Sequence, residues 1–115
     1  MAKFEFISWL LEWLNDFRVF TFEWDSGNET KSETKHRVSC REVEEIFLNR
    51  KWVPLGIQVS PIVSESRFGI LGATNDGRLL FAVFTLRGNV IRVISARPMN
   101  TKERRLYEQV CENGN

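Results

Sequence analysis

A stretch with two tight-turn signals constrains the fold more than any other part of this chain. It covers residues 74–97, TNDGRLLFAVFTLRGNVIRVISAR. The Asp-Gly pair at 76–77 tolerates the positive φ angle that a short hairpin turn requires, and Arg87-Gly88-Asn89 is a second turn signal of the same kind. Apolar segments without proline precede the first turn (67–73), separate the two turns (79–86) and follow the second (90–96). The pattern predicts an antiparallel meander of three strands.

The N-terminal residues show a helical pattern followed by a strand pattern. Apolar side chains at i, i+3, i+4 and i+7 spacing predict an amphipathic helix over residues 4–17. Residues 18–24 alternate, with Phe20, Phe22 and Trp24 on one side, which predicts a short edge strand. The helical segment holds more large apolar side chains than one helix stripe can bury. The helix can dock on the core of its own domain or on a second subunit, and we expect residues 1–17 to be an extension whose remaining apolar surface mediates self-association or a partner contact.

The middle and C-terminal segments complete an α+β pattern. Ser39 and Glu42 form a capping box, which predicts a helix over 41–48. Two prolines and no clear period in 52–66 predict an irregular connection with at most one short extended piece, and 102–112 is a closing helix with Leu106 and Val110 packed inward. We expect one domain over 18–112 and a polar tail at 113–115. The fold class is α+β, a twisted antiparallel sheet with N-terminal helices on one face, a basic surface on the other and a C-terminal helix.

Charge is distributed unevenly along a chain whose formal net charge is only +1. Residues 1–34 carry three basic and seven acidic side chains, whereas residues 78–105 carry seven basic and one acidic. The basic part coincides with the predicted strands and the closing helix, which predicts a basic surface on the folded protein.

Metal, cofactor and membrane functions find no support in the sequence. His36 is the only histidine and the two cysteines are isolated, which argues against a zinc site and leaves no cofactor to expect. No apolar run approaches the ~18 residues of a membrane-spanning helix. The N-terminus lacks the features of a secretory signal, so we expect a cytoplasmic protein with no membrane contact.

Several short sequence motifs resemble those of the BrnT family of toxins. They are FEWD at 22–25, KH at 35–36, IF at 46–47, GRLL at 77–80, TLRG at 85–88, IRVISAR at 91–97 and TKERRLYE at 101–108. The resemblance covers about residues 20–109 and implies a RelE-like endoribonuclease toxin of a type II toxin–antitoxin pair, acting on free RNA or on the ribosome. It also implies a ribbon-helix-helix (BrnA-like) antitoxin as partner. Arg37 stands where the family usually has glycine, so we expect a differently shaped turn there.

Cutting RNA without a metal requires removal of the 2′-proton, stabilisation of the extra negative charge and protonation of the 5′-oxygen. Guanidinium groups on strands suit the second task, because they present rigid donor forks that stay charged. For that task we predict Arg67, Arg92 and Arg97, and for proton transfer His36, Glu103 and Tyr107. The side chains predicted to grip the RNA backbone are Lys35, Arg78, Arg87, Lys102, Arg104 and Arg105.

Each of these residues also has a structural interpretation. Arginines on strand faces are as often solvated as functional, and a lone histidine near a helix end is more often a cap. Glu103 can pair with a nearby arginine, and Tyr107 can pack with its hydroxyl at the rim. Arg92 and Arg97 are five residues apart, so they share a face only if a bulge intervenes. A non-catalytic nucleic-acid-binding module and a protein-interaction subunit are the alternative functions.

Overall fold

A six-stranded sheet forms the centre of the molecule. The structure, a computed structural model, describes residues 2–17 and 19–113. The strands are β1 (Lys3–Glu5), β2 (Thr21–Glu23), β3 (Val53–Ser60), β4 (Phe68–Ala73), β5 (Leu79–Arg87) and β6 (Val90–Pro98). Their order across the sheet is β1-β3-β4-β5-β6-β2. All neighbours pair antiparallel except β2, which pairs parallel with β6, so the sheet is antiparallel with one parallel pair at its edge.

Helices cover both faces of this sheet. They are α1 (Ser8–Asp16), α2 (Lys31–His36), α3 (Cys40–Leu48) and α4 (Thr101–Asn113). Residues of α1 and α3 share one apolar cluster with one face of the sheet, whereas α4 packs in a second cluster on the opposite face. The predicted α+β arrangement, with N-terminal helices on one face and a C-terminal helix, is confirmed.

The capping box that predicts α3 is present. The Ser39 side chain accepts a hydrogen bond from the Glu42 amide at 3.2 Å, and the Glu42 carboxylate accepts one from the Ser39 amide at 3.1 Å. The amides of Ser39 and Glu42, which have no partner within the helix, are thereby satisfied. The predicted inward face of α3 is also confirmed, since Val43, Ile46 and Phe47 are buried.

The meander and the edge strand follow the sequence pattern closely. Two hairpins connect β4, β5 and β6, and the turn glycines Gly77 and Gly88 have φ angles of 82° and 64°. The strand β2 lies at the sheet edge, and the predicted apolar side packs against the core through Phe20, Phe22 and Trp24. Arg18, predicted to begin this strand, lies outside the described residues, as do Met1 of the extension and Gly114 and Asn115 of the tail.

The irregular connection predicted over 52–66 is wrong for its first half, where the short extended piece is the eight-residue strand β3, which lies between β1 and β4. Pro54 and Gly56 mask the strand pattern, and the register shifts between them. Gly56 has a φ angle of 111°, and a Cβ atom there would lie 1.7 Å from the carbonyl oxygen of Glu5. Only glycine therefore allows β1 to approach this closely.

The N-terminal segment is divided between a strand, the core and the surface. The helix predicted from residue 4 begins at Ser8, because residues 3–5 pair with β3 instead. Leu10 and Leu14 are completely buried in the main cluster, whereas Phe6 remains 63% exposed and Trp9 42% exposed. Self-association through residues 4–17 stays a prediction, and these two exposed aromatic side chains are the ones left to support it.

The rotation of α4 differs from the prediction. Leu106 and Val110, predicted to pack inward, are 39% and 43% exposed. The inward side consists of Glu103, Tyr107 and Cys111, which follow each other at intervals of four residues. Tyr107 and Cys111 pack in the second apolar cluster, and Glu103 is held by an ion pair to the sheet. The ion pair of Glu103 and the packing of the Tyr107 ring determine which side of α4 faces the sheet, whereas the hydrophobic pattern alone predicts Leu106 and Val110.

Candidate functional site

A β-bulge places Arg92 and Arg97 on the same face of the sheet. Residues 93 and 95 of β6 lie opposite residues 84 and 83 of β5, so Ile94 is an extra residue between two pairs. Val93 before the bulge and Ala96 after it both contact the main apolar cluster on the other face. The extra residue thus shifts the side-chain alternation by one, which is the condition for two arginines five apart to share a face.

A basic pocket of about 310 Å³ lies where this face meets α2. Its charged members are Lys31, Lys35, Arg67 and Arg97, with His36 beside them, and its other lining residues are Ser32, Ile94, Ser95 and Ala96. No carboxylate lines it. We call these nine residues the basic pocket. It contains three of the predicted catalytic residues, His36, Arg67 and Arg97, and the predicted RNA contact Lys35.

Two polar side chains fix α2 at the edge of the sheet. The strand β2 pairs only with the first residues of β6, which leaves later backbone groups of β6 unpaired. Asn28 donates a hydrogen bond to the Val93 carbonyl at 2.9 Å, and Ser32 accepts one from the Ala96 amide at 2.8 Å. Both side chains are buried. They supply the hydrogen-bond partners that buried backbone groups at a strand edge require.

Sequence reasoning missed Lys31 and both of these anchors. The one available signal for Lys31 is its spacing of four from Lys35, which places the two ammonium groups on one side of a helix. Nothing local marks Asn28 or Ser32, because their partners are more than sixty residues away in the chain. The anchors set the position of α2 and therefore of Lys31, Lys35 and His36.

Arg97 is held by Glu103 in a bidentate ion pair. Its two terminal nitrogens lie 2.8 and 2.9 Å from the two carboxylate oxygens, and the guanidinium carbon lies 4.5 Å from the centre of the Phe81 ring. Burial tends to raise the pKa of Glu103, but hydrogen bonds from Arg97 and from the Asn100 amide outweigh it and lower the pKa. Glu103 is therefore charged at neutral pH and positions Arg97.

Arg92 and Arg87 are engaged by carboxylates, including those of Glu23 and Asp25 in the acidic N-terminal part of the chain. Arg92 contacts Asp25 at 2.8 and 3.1 Å and Glu23 at 2.9 Å, and Arg87 contacts Glu23 at 3.0 Å and Glu65 at 3.1 Å. The hydrogen bond from Arg92 lowers the pKa of Asp25. The parallel pairing of β2 with β6 thus brings the acidic and basic parts of the sequence together, outside the basic pocket.

Arg78 and Tyr107 donate to backbone carbonyl groups. Arg78 contacts the carbonyl oxygens of Arg37 at 2.8 Å and His36 at 3.3 Å, which holds the end of α2. The Tyr107 hydroxyl donates to the Lys51 carbonyl at 2.7 Å, and burial with a hydrogen bond to Cys111 raises the pKa of Tyr107 to about 12. Neither side chain lines the basic pocket, and these contacts favour structural roles for both.

The remaining predicted RNA contacts lie on α4. Lys102, Arg104 and Arg105 are exposed along its first turns. Lys102 borders a second cavity, which Arg97 also lines. Lys102 therefore lies next to Arg97, and Arg104 and Arg105 stay predicted RNA contacts.

The turn after α2 has a strained backbone. Arg37 follows the helix with φ 56° and ψ 40°, the left-handed conformation, and the helix is closed by the Arg37 amide donating to the Glu33 carbonyl and the Val38 amide donating to the Ser32 carbonyl. This is the geometry that glycine adopts at no steric cost. The prediction of a differently shaped turn is therefore not supported, since Arg37 takes the conformation in which glycine is favoured.

The geometry defines a class of site: a pocket lined by four cationic side chains and a histidine, with no carboxylate in the lining, suited to a phosphodiester. Among the described residues, no group of three His, Cys, Asp or Glu side chains could hold a metal ion. No helix in the described part of the chain is long and apolar enough to cross a membrane.

Comparison with known proteins gives the family. Residues 24–103 match the family model described as the ribonuclease toxin BrnT of type II toxin–antitoxin systems. The chain therefore belongs to the BrnT family of ribonuclease toxins, and the resemblance seen in its sequence is confirmed. Family membership implies an RNA substrate and an antitoxin partner.

Solved structures and curated proteins add little beyond the family. The crystal structure of the Brucella abortus ribonuclease toxin BrnT is 20% identical, covers 72% of this chain and 100% of that chain, and has a TM-score of 0.48. No curated protein matches the chain.

Proposed function

We propose that this toxin is a metal-independent endoribonuclease that holds the scissile phosphate of RNA in the basic pocket and stops translation by cutting RNA in the cytoplasm. The observation that carries the proposal is the composition of the pocket, which is lined by four cationic side chains, of which Arg97 alone is paired with a carboxylate, that of Glu103, among the described residues. Such a pocket favours a bound phosphodiester and favours the cleavage transition state further, because negative charge increases there.

The two arginines of the pocket divide the electrostatic task. Arg67 forms no ion pair with a carboxylate in the described part of the chain, so its donor fork is open to a phosphate. Arg97 is paired with Glu103 and is 34% exposed, so it presents a guanidinium group of fixed position at the pocket wall. Rigid charges need no reorganisation as the transition state forms.

His36 is the proton-transfer group of the proposed mechanism. It accepts the proton of the 2′-hydroxyl while the 2′-oxygen bonds to phosphorus. The bond from phosphorus to the 5′-oxygen then breaks, and the imidazolium returns its proton to that oxygen. The products are a 2′,3′-cyclic phosphate and a free 5′-hydroxyl, and no step requires a metal ion.

The ribbon-helix-helix identity of the antitoxin belongs to this proposal as well. It is supported by the sequence resemblance to the BrnT family alone. A reading frame beside this gene that encodes such a protein, and co-purification of the two, would establish the pair.

The decisive experiment is RNA cleavage by the purified protein in excess EDTA, for wild type and for Arg67→Gln. Arg41→Gln is the matched control, since Arg41 lies outside the pocket and is 88% exposed on α3. We expect cleavage in EDTA, a loss of about 100- to 1,000-fold for Arg67→Gln and little change for the control. Activity that requires added magnesium, or equal activity of both variants, would contradict the proposal.

A further inference from the structure

A second cavity shares Arg97 with the basic pocket. It has a volume of about 500 Å³, within the range typical of small-molecule sites. Its apolar wall includes Phe4 of β1 and Phe81 of β5, and its polar rim includes Asn100, Lys102 and Glu103 at the start of α4. We call this cavity the aromatic pocket.

Phe4 and the Arg97 guanidinium offer partly exposed planar surfaces to a planar ligand, whereas Phe81 is only 7% exposed and lies behind them in the wall. The rings of Phe4 and Phe81 meet edge to face, with centroids 5.8 Å apart and an angle of 78° between their planes. The Arg97 guanidinium covers Phe81 at 4.5 Å and itself presents a planar group. Proteins hold unpaired RNA bases by stacking them on aromatic rings and on arginine planes.

The polar rim offers hydrogen-bond donors. The oxygen of the Asn100 side chain accepts from the Glu103 amide at 2.8 Å, and no described residue accepts from its amide nitrogen. Both oxygens of Glu103 are occupied by Arg97. The donor of Asn100 and the exposed ammonium of Lys102 are therefore available to acceptor groups such as those of a base edge or a phosphate.

We propose that the aromatic pocket binds the nucleobase of a nucleotide adjacent to the phosphate held in the basic pocket. The inference rests on the proposed function, because Arg97 forms a wall common to both pockets. Phe4 lies outside residues 24–103, the part of the chain that matches the family model. The N-terminal strand β1 therefore adds a base contact to the family's domain, and this contact contributes to the choice of RNA sequence.

The test measures binding of an uncleavable RNA. A fully 2′-O-methylated hexanucleotide and six counterparts, each with one abasic position, are titrated against wild type, Phe4→Leu and Phe6→Leu. Phe4→Leu keeps an apolar side chain but removes the ring, and Phe6 is 63% exposed and does not line the pocket. For wild type, we expect one abasic position to weaken binding about tenfold. This difference should disappear in Phe4→Leu and persist in Phe6→Leu.

Three results would overturn the inference. They are equal binding of all seven RNAs to wild type, the same abasic effect in Phe4→Leu, and a loss of antitoxin binding in Phe4→Leu without any change in RNA binding. If Phe4→Leu does not fold, Asn100→Ser provides the same comparison, because serine keeps the capping oxygen and removes the amide donor. Cleavage of unmodified RNA is measured separately, so failure of the proposed catalysis is distinguishable from failure of base binding.

Discussion

Arg97 and Glu103 form a two-point ion pair that connects the last strand of the sheet to the first turn of the last helix, with contacts of 2.8 and 2.9 Å. The Glu103 carboxylate also accepts from the Asn100 amide at 2.9 Å, so one side chain caps α4 and orients the arginine. The position of Arg97 at the wall between two pockets is therefore determined by the same contact that orients the helix.

Glu103→Gln should destabilise the protein in a pH-dependent way. The folded-state pKa of Glu103 lies below its ordinary value of 4.5. Its stabilisation is therefore present above that value and is lost as the pH falls through the folded-state pKa. We expect a loss of about 1–2 kcal/mol in unfolding free energy at pH 7 and a smaller loss at pH 3. Urea unfolding at both pH values measures this, with exposed Glu108→Gln as control. An equal loss at both pH values would contradict it.

Arg37→Gly should stabilise the protein. Arg37 has a φ angle of 56°, and a left-handed conformation costs a non-glycine residue about 1–2 kcal/mol. Glycine removes this strain but has greater freedom in the unfolded chain, so the net gain should be about 0.5–1 kcal/mol. The Arg78 contact to the residue 37 carbonyl is retained. Thermal unfolding measures the change, and Arg37→Ala should show no gain because alanine keeps the strain.

Gly56→Ala should be far more damaging than Gly77→Ala. Both glycines have positive φ angles, 111° and 82°, so both substitutions carry backbone strain. A Cβ atom at Gly56 also meets the backbone of β1 at 1.7 Å, whereas a Cβ atom at Gly77 meets nothing within 4 Å. We expect a loss above about 3 kcal/mol at Gly56 and about 1 kcal/mol at Gly77. Similar unfolding midpoints for the two variants would refute this explanation of the β1–β3 contact.

Leu14→Ala and the double variant Phe6→Ser with Trp9→Ser should separate the two roles of the N-terminal segment. Leu14 is completely buried, so its truncation should cost about 2–5 kcal/mol of unfolding free energy. The double variant removes exposed apolar side chains and should leave the stability nearly unchanged. If residues 4–17 mediate self-association, only the double variant lowers the mass measured by light scattering while the fold persists. An unchanged mass would remove self-association from the functions of this segment.

Local patterns in the sequence determined most of the secondary structure and the family. The turn glycines, the alternation in 18–24 and the Ser39–Glu42 capping box depend on residues at most a few positions apart, and the structure contains all three features. The same patterns fail where a neighbour overrides them. Pro54 and Gly56 interrupt the pattern of β3, which is a strand because β1 and β4 lie on either side of it.

Only the tertiary structure decided which charged residues share a site. Ile94 is an ordinary strand residue in the sequence, yet as the extra residue of a bulge it sets the face on which Arg97 lies. Arg92 and Arg67 look equivalent in the sequence. In the structure, Asp25 binds the guanidinium of Arg92, although the two residues are far apart in the chain, whereas no carboxylate among the described residues pairs with Arg67. Pairing across such separations depends on the path of the backbone between the residues, and hydrophobic periodicity contains no information about that path.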